Sequence, residues 1–453
     1  MNFALRKGLY VVVGMGLSGR ASLRFLLNVG IDAVGLEELS RENWERARSE
    51  FPALREKIYF EELPKEIFGK AKGFIVSPGV PLTRTWAHEA KKRDIPVLGE
   101  LEVASCHLEG SLLAVTGTNG KSTTVSLAHA ILQSGGIRTA LKGNIGDPLI
   151  TAVSEPPSDW IVVEVSSFQL ETVTTFHPKV SVILNITPDH LDRYAGMDDY
   201  AEAKGKIFMN QGASDFLIFN SDDSTTLRLS KKASARKLPF SLVNQFREGA
   251  FVDRNEMVVR FDNRENRYPV DLGPLVGLHN QENKLAAILS ATVIGVSPEA
   301  IRKALATFKP LSHRLQLVGT WRGISFYDDS KGTNVGSVVM SLASFDNGVL
   351  LILGGRDKGS DFSPLKAMIR EKVKALILIG EAADKIFSVV GDVVPTYRTG
   401  TMEKAVETCF AIGAAGDTAL LSPGCASFDQ YKNYAERGDD FSMRARVLGE
   451  EQT

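Results

Sequence analysis

The run Thr116-Gly117-Thr118-Asn119-Gly120-Lys121-Ser122-Thr123 places a glycine loop, a lysine and hydroxyl groups where they could meet a triphosphate. It follows the apolar stretch Leu112–Val115. Lys121 then opens a predicted helix whose apolar positions 125, 128, 131 and 132 share one face, until Gly135-Gly136 stops it. In that setting backbone N–H groups and the helix N-terminus face anionic oxygens, Lys121 adds positive charge, and a hydroxyl can ligate Mg²⁺. The loop is not a strict Walker A, which needs glycine where this chain has Val115. A chance Gly-Lys-Ser in a turn is the plain alternative, but the strand before and the helix after favour a nucleotide.

A second glycine loop, Gly14-Met15-Gly16-Leu17-Ser18-Gly19, follows Tyr10–Val13 and precedes the helical pattern Ala21–Leu27. Glu37 and Glu38 lie about where an acidic ribose contact sits in a dinucleotide site, so this loop alone reads as NAD binding. Two other readings stand beside it: a tight turn whose glycines serve packing, and a pocket for another nucleotide or diphosphate.

Glu164 sits in the apolar strand candidate Trp160–Val165, where an ionised carboxylate is costly unless it is paired or ligates a metal. Metal ligation opposite the phosphate loop is the preferred reading and a structural ion pair the alternative. His190 follows the strand candidate Val180–Ile186 in Thr187-Pro188-Asp189-His190-Leu191-Asp192-Arg193. It is one of seven histidines, none in a paired zinc spacing. A lone histidine is usually structural, but a position just past the C-terminal end of a strand suits a functional role.

The elements that must hold these residues alternate short apolar runs with longer amphipathic stretches, the pattern of parallel α/β architecture. Gly73–Val76 ends at Ser77-Pro78-Gly79, and Gly99-Glu100-Leu101-Glu102 reads as a connection after Ile95–Leu98. Phe216–Phe219 is a further strand candidate and Asn280–Ile294 a helix. Pro310 interrupts a helical pattern near Phe308–Ser312, and beyond it strand–glycine–helix units recur at Val349–Leu353, Ala375–Ile379 and Thr418–Leu421. A length of 453 residues allows about three domains. The predicted boundaries give 1–99, 100–310 and 311–453.

Lys and Arg total 53 against 54 Asp and Glu, a net charge of −1, so no global basic field exists for nucleic acid or an anionic membrane. Three scattered cysteines, Cys106, Cys409 and Cys425, exclude a disulfide framework or thiolate zinc site and fit a reducing cytoplasm. Leu9–Leu17 follows Arg6 and Lys7 like a signal-peptide core, yet it carries glycines and lacks a small-residue cleavage site, so a first strand explains it better. No run of about 18 apolar residues predicts a membrane span.

In order along the chain come Gly117-Thr118-Asn119-Gly120-Lys121-Ser122-Thr123, Gly143-Asn144-Ile145-Gly146, Glu164-Val165-Ser166-Ser167-Phe168-Gln169-Leu170 and Asp189-His190-Leu191-Asp192-Arg193-Tyr194. His313-Arg314, Asp329-Ser330-Lys331-Gly332-Thr333-Asn334, Gly354-Gly355-Arg356-Asp357-Lys358 and Ser422-Pro423-Gly424-Cys425-Ala426-Ser427 follow. Together they resemble the Mur ligase family, ATP-dependent amide-forming enzymes of peptidoglycan precursor synthesis. Each segment is weak alone, but the ordered set is specific and, with the first glycine loop, spans nearly the whole chain. The run Ser427-Phe428-Asp429-Gln430-Tyr431-Lys432-Asn433-Tyr434 most resembles the D-glutamate-adding branch.

The resemblance implies an α/β fold of three domains: Rossmann-like at the N-terminus, a central P-loop-type ATPase, and Rossmann-like at the C-terminus. The first would hold a UDP-sugar and not NAD, through Leu17, Ser18 and Gly79. At Leu36–Leu39 this chain has Glu37-Glu38 where the family often shows a polar or Arg-containing turn. Asn144 and His190 would approach the muramoyl-alanine end of UDP-N-acetylmuramoyl-L-alanine. Gly117, Thr118, Asn119, Gly120, Lys121, Ser122 and Thr123 would cradle ATP, with Lys121 on the β/γ-phosphates. Asn283, Arg314 and Asp329 would complete that site.

Two Mg²⁺ would sit among Ser122, Glu164, His190 and Lys204, the last carbamylated by CO₂ into an anionic oxygen ligand. From the residues alone Lys204 reads as a solvated helix lysine. Lys331, Thr333, Lys358, Ser427 and Tyr434 would line a D-glutamate pocket, and a cationic Lys358 beside hydroxyls suits a dicarboxylate. The implied catalytic set is Lys121, Glu164, His190 and Lys204, in a cytoplasmic protein expected to be a monomer. Rival readings are an NAD-dependent oxidoreductase, which leaves Lys121, Glu164 and the C-terminal motifs without work, a folylpolyglutamate synthase, another member of the Mur family, and a non-catalytic nucleotide sensor.

Overall fold

A computed structural model of the chain describes residues 5–38, 57–190, 193–275 and 277–451. Leu39 of the Leu36–Leu39 turn, and Leu191 and Asp192 of the histidine motif, lie outside the described residues. Among the described residues three sheets carry the fold. Strands buried on both faces read as continuous Val, Ile and Leu, as parallel strands between helices must.

The first sheet has β1 Leu9–Val13, β2 Ala33–Glu37, β3 Ile58–Phe60, β4 Ala71–Val76 and β5 Val97–Gly99, in the order β3-β2-β1-β4-β5. All pairings are parallel. The order reverses between β1 and β4, which opens a crevice at their C-terminal ends. The first glycine loop lies there.

The second sheet has nine strands: β6 Ser111–Thr116, β7 Thr139–Gly143, β8 Trp160–Glu164, β9 Val180–Ile183, β10 Phe216–Asn220, β11 Arg236–Ser241, β12 Gly249–Asp253, β13 Glu256–Phe261 and β14 Arg264–Pro269. Their order is β14-β13-β12-β11-β10-β9-β6-β8-β7, so β6 lies between β9 and β8 and the phosphate loop leaves the sheet at a switch point. The antiparallel hairpins β12–β14 depart from the expected alternation; exposed pairs such as Arg260–Glu265 (2.6 Å) tie them across strands. β9 ends at Ile183, short of the expected Ile186, because Leu184 and Asn185 turn to hold the phosphate loop.

The third sheet comprises β15 Gln316–Trp321, β16 Ile324–Asp328, β17 Val349–Gly354, β18 Val373–Ile379, β19 Thr396–Gly400 and β20 Thr418–Leu421, ordered β15-β16-β20-β17-β18-β19. Only β15 and β16 pair antiparallel. By compactness the chain forms two units: residues 1–186, 198–270 and 283–305 carry the first two sheets, and residues 187–197, 271–282 and 306–453 carry the third. Among the described residues no helix is long and apolar enough to cross a membrane.

The expected connection at Gly99–Glu102 is instead the start of a helix, Glu100–Ser105, with both glutamates buried. Their carboxylates bond inward, which a surface turn would not require. Burial pushes the Glu102 carboxyl up, but bonds from the Thr174 and Thr175 hydroxyls and the N–H groups of 174–176 outweigh it and hold it below the ordinary range. Glu100 accepts the Ile150 N–H at 2.6 Å on one oxygen, while the other has no hydrogen-bond partner among the described residues. Burial pushes its carboxyl up to about 7 from an ordinary 4.5.

A carboxyl raised on folding contributes full stability below its unfolded value and loses it as pH rises through the folded value. Glu100→Gln keeps the acceptor for Ile150 and removes the ionisation. Its unfolding free energy should match the parent near pH 4 and exceed it by about 3 kcal/mol well above pH 7. Parallel stability–pH curves for the two proteins would refute this.

Candidate functional site

At the end of β1, Gly14 (φ +82°) donates its N–H to Leu36 and the Met15 N–H donates to Glu37 Oε2, both at 2.8 Å. Ser77 Oγ donates to the Gly14 carbonyl at 2.7 Å, tying the end of β4 to the loop. The third glycine is needed for close approach: a Cβ on Gly19 would lie 1.8 Å from the Gly14 carbonyl oxygen. Leu17, more than half exposed, and Ser18 open the following helix, Leu17–Asn28, while Gly79 (φ +92°) turns the chain beyond Ser77. Glu37 is thus engaged at the loop, while Glu38 faces Arg84 at 3.5 Å.

β6 runs on to Thr116, one residue past the strand read from sequence, and the loop 117–120 leads to the helix Lys121–Ser134, which begins and stops where the sequence places it. Asn185 braces it: its carbonyl accepts the Thr118 N–H and its Oδ1 the Asn119 N–H, both at 2.8 Å. Gly120 (φ +83°) precedes the helix, and a Cβ there would meet Asn283 Oδ1 at 2.2 Å. Asn283 itself accepts from Thr124 Oγ1 at 3.2 Å, so this predicted ATP residue packs directly behind the loop.

Ser122 and Thr123 are buried in the helix's first turn, where N–H groups and the dipole favour phosphate. Glu164 ends β8 in register with Val115, one residue before the loop. It is 2% exposed, and its Oε1 accepts from Asn144 Nδ2 at 2.8 Å. The Asn144 N–H also donates to the Glu164 carbonyl at 2.9 Å.

Lys204 is not solvated. It lies on the helix Met197–Gly205, 1% exposed, with Nζ above the Tyr200 ring (4.6 Å) and donating to the Gly117 carbonyl at 2.8 Å. Lys121 Nζ donates to that same carbonyl and to the Thr118 carbonyl, each at 2.8 Å. Two ammonium groups therefore converge on one oxygen. The periodicity around Lys204 could not reveal this, because Lys204 and Tyr200 of that helix meet the distant phosphate loop at Gly117 and Thr118.

In the second unit Asp329 follows β16 and accepts from Ser341 Oγ (2.6 Å) and Ser422 Oγ (2.8 Å). Burial pushes its carboxyl up to about 6, outweighing those bonds and the Arg314 guanidinium nearby. Burial, with Arg314, pushes His279 down to about 4, so a neutral imidazole adjoins that cation at neutral pH. Lys331 Nζ stands 4.8 Å from the centre of the Tyr434 ring, and its N–H donates to the His313 carbonyl. The loops bearing Lys358 and Ser427 are joined by paired backbone bonds between Arg356 and Ala426. Thr333 donates its N–H to the Lys331 carbonyl.

His190 has φ +55° and belongs to this unit. Asp189 beside it accepts from Asn334 Nδ2 at 3.2 Å and lies 4.0 Å from Lys358 Nζ.

Family models match the chain at residues 9–99 (Mur ligase MurD-like, N-terminal domain), 115–291 (Mur ligase middle domain) and 313–425 (Mur ligase, glutamate ligase domain). It is 42% identical over 439 residues to the UDP-N-acetylmuramoylalanine–D-glutamate ligase of Syntrophotalea carbinolica, covering 97% of each chain. The chain belongs to the Mur ligase family.

The likewise named ligase of Geotalea daltonii is 40% identical, again over 97% of each chain. In fold, this Mur ligase is similar to MurF of Thermotoga maritima solved with ADP (TM-score 0.62, 14% identity, 100% of this chain and 97% of that one). It is also similar to MurC of the same organism (TM-score 0.61, 17% identity, 97% and 100%). Family membership removes the oxidoreductase reading of the first loop.

In this Mur ligase the first unit places Leu17 and Ser18 at the helix start after the first glycine loop, and Gly79 two residues beyond Ser77, which bonds that loop. Around another it gathers residues 117–123, Asn144, Glu164, Lys204 and Asn283. His190, Arg314, Asp329, Lys331, Thr333, Lys358, Ser427 and Tyr434 belong to the second unit.

Sequence reasoning missed Arg437, 1% exposed, which donates to Ser330 and to the Cys425 carbonyl and so backs the Lys331 segment. It also missed Asp189 as the residue facing Lys358, although that aspartate adjoins the singled-out histidine. Among the described residues no three His, Cys, Asp or Glu side chains converge as a metal cage. The oxygen donors at the phosphate loop are instead a hydroxyl and one carboxylate, a hard set that suits Mg²⁺.

Proposed function

We infer that this chain is an ATP-dependent ligase that joins D-glutamate to UDP-N-acetylmuramoyl-L-alanine in peptidoglycan precursor synthesis. Near-full-length identity to ligases of that name carries the reading. The phosphate loop with its two convergent lysines supports the ATP half of it. Leu17, Ser18 and Gly79 bind the UDP moiety, and Asn144 and His190 the muramoyl-alanine end. Gly117–Thr123, Asn283, Arg314 and Asp329 bind ATP. Lys331, Thr333, Lys358, Ser427 and Tyr434 receive D-glutamate.

The alanyl carboxylate attacks the γ-phosphorus, the bond to ADP breaks, and an acyl phosphate forms. The D-glutamate amine then adds to that carbonyl; the tetrahedral intermediate expels phosphate and leaves the amide. Lys121 neutralises charge on the transferring phosphoryl group, and loop N–H groups hold its oxygens. Ser122, Glu164, His190 and Lys204 as its CO₂-derived carbamate would hold two Mg²⁺, which supply further charge stabilisation when bound. Lys358 pairs with a glutamate carboxylate. Within this reading the domains run 1–99, 100–310 and 311–453, and the protein works as a cytoplasmic monomer.

The test is phosphate release from ATP with UDP-N-acetylmuramoyl-L-alanine and one amino acid at a time. D-glutamate should support turnover. L-glutamate, L-lysine, diaminopimelate and L-alanine should not. Silence with D-glutamate, or equal turnover with another of these, sinks the assignment.

A further inference from the structure

Lys142 is a lysine that the reaction does not use, and it is 5% exposed. It is the penultimate residue of the edge strand β7, followed by the turn Gly143–Gly146 whose Asn144 meets Glu164. Its Nζ reaches across that turn to Asp147 Oδ2 at 3.5 Å and on to Glu155 Oε1 at 2.6 Å. Glu155 caps the short 3₁₀ helix Leu149–Ser154, so one ammonium ties the start of the turn, its end, and the far end of the next element. The backbone closes the same ring, with the Gly143 N–H donating to the Asp147 carbonyl at 2.8 Å. Gly143 (φ +114°) and Gly146 (φ +68°) are conformations that do not hold themselves.

Burying an ammonium costs several kcal/mol of desolvation, and a methionine of similar length would fill the space more cheaply. What the charge adds is a tie between Asp147 at the end of the turn and Glu155 beyond the next element. The other end of that ring is Asn144, exposed at the tip and hydrogen-bonded to Glu164 by side chain and backbone.

We propose that Lys142 is a positioning residue: its clamp on Asp147 and Glu155 fixes the turn that presents Asn144 to the UDP-muramoyl substrate and holds the Glu164 carboxylate beside the phosphate loop. This rests on the reading of Asn144 and Glu164 given above.

Lys142→Met and Glu155→Gln break the clamp from either side while keeping bulk. Each should raise the KM for UDP-N-acetylmuramoyl-L-alanine roughly tenfold, the cost of one misplaced hydrogen bond. Each should also raise the Mg²⁺ concentration for half-maximal rate, and leave the KM for D-glutamate and the melting temperature little changed. The double variant should be no worse than Lys142→Met alone, because Lys142→Met already removes the contact that Glu155→Gln weakens. Lys142→Arg should recover much of the loss.

Asn144→Ala separates the two levels of the argument. A raised substrate KM in Asn144→Ala with a parental KM in Lys142→Met overturns the clamp. A parental KM in Asn144→Ala overturns the underlying reading of Asn144, and the clamp with it. A fall in all kinetic constants together with the melting temperature marks Lys142 as merely structural and also overturns the proposal.

Discussion

Lys121→Ala should lower the rate of phosphate release by about 10²–10³-fold, the effect of removing one preorganised charge from a transition state. The Nζ position is fixed by two carbonyls of the loop it serves, Gly117 and Thr118, both at 2.8 Å. The charge therefore needs no rearrangement to act where the helix N-terminus already attracts phosphate oxygens. Phosphoryl transfer asks for little besides such positioning and charge. The stability cost should be small, about 1–2 kcal/mol for two hydrogen bonds from a partly exposed side chain. A melting curve near the parent's, with a rate reduced this far, assigns the loss to catalysis. Lys121→Arg should recover little, since a planar fork does not fit a point-charge cradle. A Lys121→Ala protein within tenfold of parental activity would contradict the role.

Lys204→Ala should cost a comparable factor, about 10²-fold or more, and the loss should be partly reversed by a small carboxylate such as acetate. The physical case begins with the carbonyl of Gly117, which accepts from Lys204 and from Lys121. Two like charges on one buried oxygen repel by a few kcal/mol even at an effective dielectric of about 20. When the neutral amine of Lys204 adds to the carbon of CO₂, an N–C bond forms and one proton leaves. A cation then becomes an anion beside Lys121, and repulsion turns to attraction. The same change supplies the oxygen donor that a hydroxyl and one carboxylate lack for a hard divalent ion. Acetate should rescue Lys204→Ala and not Lys121→Ala. A fully active Lys204→Ala protein excludes the carbamate.

The sequence carried the phosphate loop because its physics is local. A strand, a glycine turn and a helix start lie within one short run, and the helix Lys121–Ser134 begins and ends where its glycines say. Glu164 was legible for a related reason: a carboxylate in an otherwise apolar strand is anomalous before any contact is known. The central parallel strands β1, β6, β8, β9, β17, β18 and β20 were legible as runs rich in Val, Ile and Leu, whereas β2, β7, β11 and β19, with glycine or polar residues in them, were not. Less was legible where charged residues interrupt the strand, as in the hairpins β12–β14, or where a buried acid looked like a turn, as at Glu100 and Glu102.

What the sequence by itself determined was which residues have unusual chemistry for their setting: Lys121, Glu164, and the ordered motifs that make this a Mur ligase. Only the tertiary structure decided which ordinary-looking charges are taken out of water. Lys204 read as a solvated residue along the chain, and nothing there singled out Lys142 or Arg437, yet the first sits on the phosphate loop, the second ties a turn and the third backs Lys331. The physical reason is that burial and ion pairing depend on partners far away in sequence. Lys204 meets Gly117 across 87 positions, and Arg437 meets Ser330 across 107. No local pattern records such a meeting, and the desolvation that gives it consequence exists only once the sheets have formed.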